Sequence, residues 1–253
     1  QAHRLEAYRT GVLPHHLHVI PPGVDLQRFS PGERPAELAS RLAVGRGGVL
    51  VTVAGGPATD LLTVFRAFAA IRGAHRSTSL VVVGAADERH WKKELRQLRV
   101  DRSVHFTGPV PPGDMPDHFR LGDLYLAAHK EDPDNGVAQG CGLPLVEAQA
   151  CGLPVVATRT PVTEEVAPPG EVGTLVEPEA HAKLAKAAGD LLGADDRRTA
   201  LAAAAREHAE QVHDARVTAA DFRELREVIY LRRLGLGNHE PTSSPEGSGR
   251  SAA

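Results

Sequence analysis

Gln139-Gly140-Cys141-Gly142-Leu143-Pro144-Leu145-Val146-Glu147-Ala148-Gln149-Ala150-Cys151-Gly152-Leu153-Pro154-Val155-Val156-Ala157 is the most informative stretch of this 253-residue chain. Proline suits the first turn of a helix, where its missing N–H would be unpaired anyway, and glycine just past a helix ends it. The stretch therefore reads as a glycine-rich loop, a helix over Pro144–Ala150, a stop at Gly152 and a buried strand. Gly140 and Gly142 let a backbone approach a ligand closely. The unpaired N–H groups at the start of the helix carry partial positive charge and favour an anion. Glu147, one turn in, is placed to accept hydrogen bonds from hydroxyls. A phosphate-bearing, hydroxyl-rich ligand suits that set; glycines that merely let helix and sheet pack closely are the alternative.

Outward from this stretch, short β-branched runs alternate with helical spacings. Strands are expected at Val49–Val53, Leu80–Val83, Val104–Phe106, Asp123–Ala127, Pro154–Ala157 and Gly173–Val176, with a shorter one at His18–Ile20. Helices are expected over Pro35–Leu42, Leu61–Ile71, Asp87–Val100 and Asp114–Leu121, and then over the Ala-rich Glu179–Leu192, Asp195–Val212 and Val217–Leu234. A first helix is expected over Gln1–Arg9. The strands are apolar without alternation, which marks burial on both faces. The fold class is α/β: a doubly wound parallel sheet with helices on both sides and Ala-rich C-terminal helices.

Composition narrows the function. The chain is 42% hydrophobic and 24% charged with a net charge of −3, which argues against a strongly basic nucleic-acid binder and a long acidic disordered chain. No apolar run approaches the roughly 18 residues of a membrane span, although peripheral contact with a membrane surface stays open. Cys141 and Cys151 are too few for a disulfide scaffold, so a reducing cytoplasm is the expected setting. No metal site is expected. His129–Ala138 mixes a His, three carboxylates, Pro and Gly and reads as a solvated surface loop. His15, His16 and His18 lack ligand spacing. A dinucleotide-dependent oxidoreductase is disfavoured, because the turn after the first strand lacks Gly-x-Gly-x-x-Gly and no acidic residue ends the second.

The whole Gln139–Ala157 string resembles the donor-binding segment of the family-four retaining glycosyltransferases, whose GT-B fold pairs two doubly wound domains. Val19-Ile20-Pro21-Pro22-Gly23-Val24-Asp25-Leu26-Gln27-Arg28-Phe29 resembles their interdomain segment. Val104-His105-Phe106-Thr107-Gly108 and Gly173-Thr174-Leu175-Val176-Glu177-Pro178 resemble two further motifs, in the family's order. The resemblance implies transfer of a hexose from a nucleotide-diphosphate sugar, with no cofactor or metal. It implies that Glu147 binds ribose hydroxyls, and that the amides of Gly140, Cys141, Gly142 and Leu143 face sugar and diphosphate. Gly55 and Gly56 would lie by the donor, and Pro109 and Val110 near the base. It divides the chain into a remnant of an N-terminal acceptor domain (1–29), the donor-binding domain (30–234) and a disordered tail (235–253). The missing N-terminal domain would then be supplied in cis or in trans, and the face meeting it would be unusually apolar.

Two departures from the pattern matter. The family's other glutamate falls on Gln139, an uncharged amide that presents two donors. The family's Arg and Lys after the first strand fall in Gly55-Gly56-Pro57-Ala58-Thr59-Asp60, which holds no cation. Losing one preorganised donor to a developing charge costs on the order of 2.7–4 kcal/mol in barrier. Arg159 is the candidate substitute cation, with a surface arginine as the alternative. The departures leave two readings, a truncated enzyme module and a non-catalytic binding module, with the sugar, the base and the acceptor open.

Overall fold

Successive residues of a strand point to opposite faces of its sheet, and here both faces are covered. In strand β1 (Val49–Ala54), Val49 and Val51 enter one core while Leu50 enters the other. In β2 (Ser79–Gly84), Val81 and Val83 alternate in the same way with Leu80 and Val82. Burial of both sets explains why the sequence shows runs and no alternation. A computed structural model describes residues 17–45, 47–54, 59–84, 86–129, 142–170 and 172–234.

Four more strands complete the sheet: β3 (Val104–Phe106), β4 (Leu124–Ala127), β5 (Val155–Thr158) and β6 (Gly173–Val176). The sheet has six strands in the order β3-β2-β1-β4-β5-β6, and every neighbouring pair is parallel. The helices are α1 (Ala36–Arg41), α2 (Leu61–Ala74), α3 (Glu88–Gln97), α4 (Met115–Arg120), α5 (Leu143–Ala150), α6 (Pro161–Val166), α7 (His181–Leu192), α8 (Asp195–Val212) and α9 (Ala215–Arg233). One face is covered by α2 and α7, through Phe65, Phe68, Leu184 and Leu191. The other is covered by α5 and α8, through Leu145, Val146, Ala205 and Ala209. Each large aliphatic or aromatic side chain fully buried this way contributes roughly 1.5–3 kcal/mol.

The segment before the sheet is bound down. The Val24 N–H donates to the His213 carbonyl at 2.7 Å and the Ala215 N–H to the Val24 carbonyl at 3.0 Å. The Arg206 guanidinium donates to the carbonyls of Phe29 (2.8 Å) and Ala150 (2.6 Å), tying α8 to this segment and to the end of α5. The expected strand at His18–Ile20 is absent: those residues join no ladder, and Val19 is exposed. An apolar triplet extends the chain but forms a strand only beside a partner, and the bridge in this region is Val24 with Asp214. The expected helix over Gln1–Arg9 and the expected tail at 235–253 lie outside the described residues. Helix α6 was not foreseen.

Candidate functional site

In a parallel sheet the residues that leave each strand emerge at one and the same edge. The chain runs from β1 outward through β2 and β3, then returns to β4 and runs outward through β5 and β6. The switch point therefore lies between β1 and β4, and a crevice for ligands opens there beyond the strand ends. Thr59 and Asp60 come after β1, Pro109 and Val110 after β3, His129 and Gly142 after β4, and Arg159 after β5. The fold brings all of them to this carboxyl edge.

Helix α5 starts at this edge from Gly142, whose φ of 70° is left-handed. Among the described residues no side chain caps the helix, and Pro144 lies in its first turn. A Cβ on Gly142 would stand 2.9 Å from Val166 Cγ2 on α6. Glycine is thus required both by the backbone angle and by the approach of α6. The first N–H groups of a helix point out of its end with no partner inside it.

Glu147 is half-buried on α5. Burial pushes its carboxyl up to about 7, and the positive charge of Arg28 pulls the other way. Its charge also reaches Tyr125 of β4, whose phenol burial already pushes far up. The carboxyl is therefore within electrostatic reach of both Tyr125 and Arg28, and the Arg28 guanidinium itself lies 5.6 Å over the Phe29 ring. An acid in this setting holds a proton near neutrality and gives it up readily to a polar or cationic partner.

The loop after β3 is fixed to the end of β2. The Gly84 N–H donates to the Gly108 carbonyl at 3.2 Å, and Gly108 has a φ of 69°. Pro109 beyond it is exposed and Val110 half-buried. The Arg159 guanidinium pairs with Glu164 and lies 3.7 Å from Glu177. Gly55, Gly56, Gln139, Gly140 and Cys141 lie outside the described residues, as does most of the expected surface loop. Its first residue, His129, is only partly exposed and bridges Thr59 across the switch point. Asp60 and Thr158 were also unforeseen in this region; Asp60 caps α2 through the Thr63 N–H at 3.2 Å. Among the described residues no group of three or more His, Cys, Asp and Glu could hold a metal ion, and no helix is long and apolar enough to cross a membrane.

The chain resembles known proteins in sequence and in fold. The family model of the glycosyl transferases group 1 matches residues 55–208. A GDP-mannose-dependent alpha-(1-6)-phosphatidylinositol monomannoside mannosyltransferase of Mycobacterium tuberculosis is 30% identical over 197 residues, 76% of this chain and 50% of the relative. A D-inositol 3-phosphate glycosyltransferase of Geodermatophilus obscurus is 33% identical over 214 residues, 79% of this chain and 44% of the relative. The chain thus spans about half the length of the curated relatives it matches. Its fold is shared with the C-terminal domain of a glycosyl transferase group 1 family protein of Francisella tularensis, with a TM-score of 0.65 at 22% identity, over 76% of this chain and all of that one. It is also shared with Anabaena HepE in complex with UDP, with a TM-score of 0.76 at 22% identity, over 89% of this chain and 61% of that one. The doubly wound sheet, the open start of α5 and the match across residues 55–208 lead to one conclusion: the chain belongs to the glycosyl transferases of group 1.

Proposed function

We propose that this chain is the donor-binding half of a retaining glycosyltransferase that moves a hexose from a nucleotide-diphosphate sugar to an acceptor hydroxyl. The observation that carries the reading is the start of α5 at left-handed Gly142, uncapped among the described residues, with half-buried Glu147 one turn behind it. The amides of Gly142 and Leu143, with those of Gly140 and Cys141, would hold the diphosphate and sugar. Glu147 would accept hydrogen bonds from the ribose hydroxyls, giving up its proton as they arrive. Gln139 would face the sugar, and Pro109 and Val110 the base. The named GDP-mannose-dependent relative and the UDP complex of a structural neighbour agree with a nucleoside diphosphate leaving group.

The transfer itself would be a front-face displacement. The acceptor oxygen bonds to the anomeric carbon while the bond from that carbon to the diphosphate oxygen breaks, and the departing oxygen takes the acceptor's proton. Aligned amides stabilise the growing negative charge. The acceptor site would come from a second domain, in cis or in trans. Helix α9 starts beside the Val24 bridge, buries Val228 and exposes Phe222, Ile229 and Tyr230 at 58%, 57% and 62%, apolar side chains suited to such a partner.

A second reading is a non-catalytic module that keeps nucleotide-sugar affinity. It is favoured by Gln139 and by the absence of Lys and Arg from residues 55–60. Calorimetry with GDP, UDP, GDP-mannose and UDP-glucose, paired with turnover assays with and without an added N-terminal domain, separates the two. Saturable binding with slow transfer that rises on adding the domain is expected. Binding without transfer in either assay selects the second reading, and no binding of any of the four ligands refutes both. Glu147→Ala should weaken nucleoside diphosphate binding about tenfold or more, the loss of one hydrogen bond to a charged group.

A further inference from the structure

We propose that His129 is a donor-substrate contact, its imidazole hydrogen-bonding the diphosphate–sugar portion of the nucleotide sugar. This rests on the nucleotide-sugar reading above and extends it to a residue that the sequence placed on a surface loop.

The first observation is how firmly the backbone here is held. The Asp60 N–H, beyond β1, donates to the Ala128 carbonyl at 2.8 Å. The His129 N–H donates to the Thr158 hydroxyl at 2.7 Å, and that hydroxyl donates back to the His129 carbonyl at 3.2 Å. Thr59 forms an antiparallel bridge with His129. The ends of β1, β4 and β5 therefore converge on one residue, and that residue spans the switch point where a ligand crevice opens. A side chain mounted on three strand ends is held more precisely than one on a free loop, which is what a substrate contact needs.

The second observation is the ring. Its Nδ1 is buried and has no hydrogen-bond partner among the described residues. Buried polar atoms are almost always paired, so an orphan at a crevice calls for a reason. Thr52 Oγ1 and Gln149 Oε1 are also orphaned, but both lie in the closed core, inside β1 and on α5. His129 differs from these in being held at the carboxyl edge by the ends of three strands. Burial lowers the pKa of this imidazole, so it works as a neutral ring with one donor and one acceptor. With its proton on Nδ1 the ring turns the orphan itself into a donor suited to a phosphate or sugar oxygen, so a bound ligand satisfies the atom the free chain leaves unpaired. The segment after β1 holds no Lys or Arg to take that role.

An orphan retained for a ligand weakens the fold, so removing it should not weaken the fold further. The test compares the chain with His129→Ala, His129→Asn and His129→Gln, by calorimetry with GDP, UDP, GDP-mannose and UDP-glucose and by thermal unfolding without ligand. Asn carries a polar atom near the Nδ1 position and Gln one near Nε2. The expected result for His129→Ala is about a tenfold or greater loss of affinity for the ligand that binds best, an unchanged or raised Tm, and partial recovery in Asn or Gln. Three results overturn the proposal. One is His129→Ala affinity within twofold of the parent while Glu147→Ala loses binding; the nucleotide-sugar reading then stands. Another is a Tm lowered by several degrees with no rescue by either amide, which marks a packing role. The third is a parent chain that binds none of the four ligands, which removes both readings together.

Discussion

Helices α5 and α6 start at the same edge of the sheet, after neighbouring strands, and in opposite ways. Helix α6 is closed by a capping box: the Thr163 N–H donates to the Thr160 hydroxyl at 3.1 Å and the Thr160 N–H to the Thr163 hydroxyl at 2.7 Å. Helix α5 begins from left-handed Gly142 with no described side chain over its amides. The closed end satisfies itself and serves stability. The open end leaves its donors for something else, and the fold bears the cost through a position only glycine fills well. The two helices also touch here, since a side chain at 142 would meet Val162 in the first turn of α6 at 3.2 Å and Val166 at its last residue at 2.9 Å. The stability-directed helix thus shapes the ligand-directed one.

The sharpest way to break this comparison is Gly142→Ala. The left-handed backbone and the 2.9 Å approach to Val166 Cγ2 should together cost about 2–3 kcal/mol, read as a lower urea midpoint at unchanged slope, with nucleotide affinity falling alongside. A smaller effect belongs to Glu147. Its folded carboxyl titrates near 7 against an ordinary 4.5. Between these values the folded chain holds a proton that the unfolded chain has lost, so stability falls as pH rises through that window. Glu147→Gln should remove this slope and be more stable at pH 8 by on the order of 1–2 kcal/mol, less than the full shift because the carboxyl remains partly solvated. Denaturant titrations at pH 4.5, 6 and 8 measure it; an unchanged slope in the variant would contradict the assignment. The smallest effect belongs to the closed end. Thr160→Ala should cost about 1 kcal/mol of stability and leave calorimetric affinity for nucleoside diphosphates within twofold. A large affinity loss there would erase the distinction between the two ends.

Much of the fold was legible because side-chain chemistry repeats along the chain. Val49–Val53 and Leu80–Val83 announce strands buried on both faces, and the structure feeds their alternate residues to two cores. Helix α5 was legible from Pro144 and Gly152, and the structure begins it one residue earlier, at Leu143. Helix α6 was missed although Thr160-Pro161 carries a cap and a first-turn proline. The strand expected at His18–Ile20 failed as a local pattern without a neighbour. The candidate site was less legible. Glu147 and Gly142 could be found because a motif surrounds them. Arg159 reads as free in sequence, and only the folded chain sets it beside Glu164 and Glu177.

Residue order by itself determined the αβ alternation, the buried character of the strands and the glycine-to-glutamate spacing of α5, because these depend on neighbours a few positions apart. Tertiary structure alone decided that β1 lies beside β4, that Thr59 meets His129 and Thr158 clasps its backbone, and that Glu147 holds its proton near neutrality. Parallel pairing joins segments distant in the chain, and the pKa of a carboxyl tracks the water removed around it. Both come from packing that no local pattern encodes.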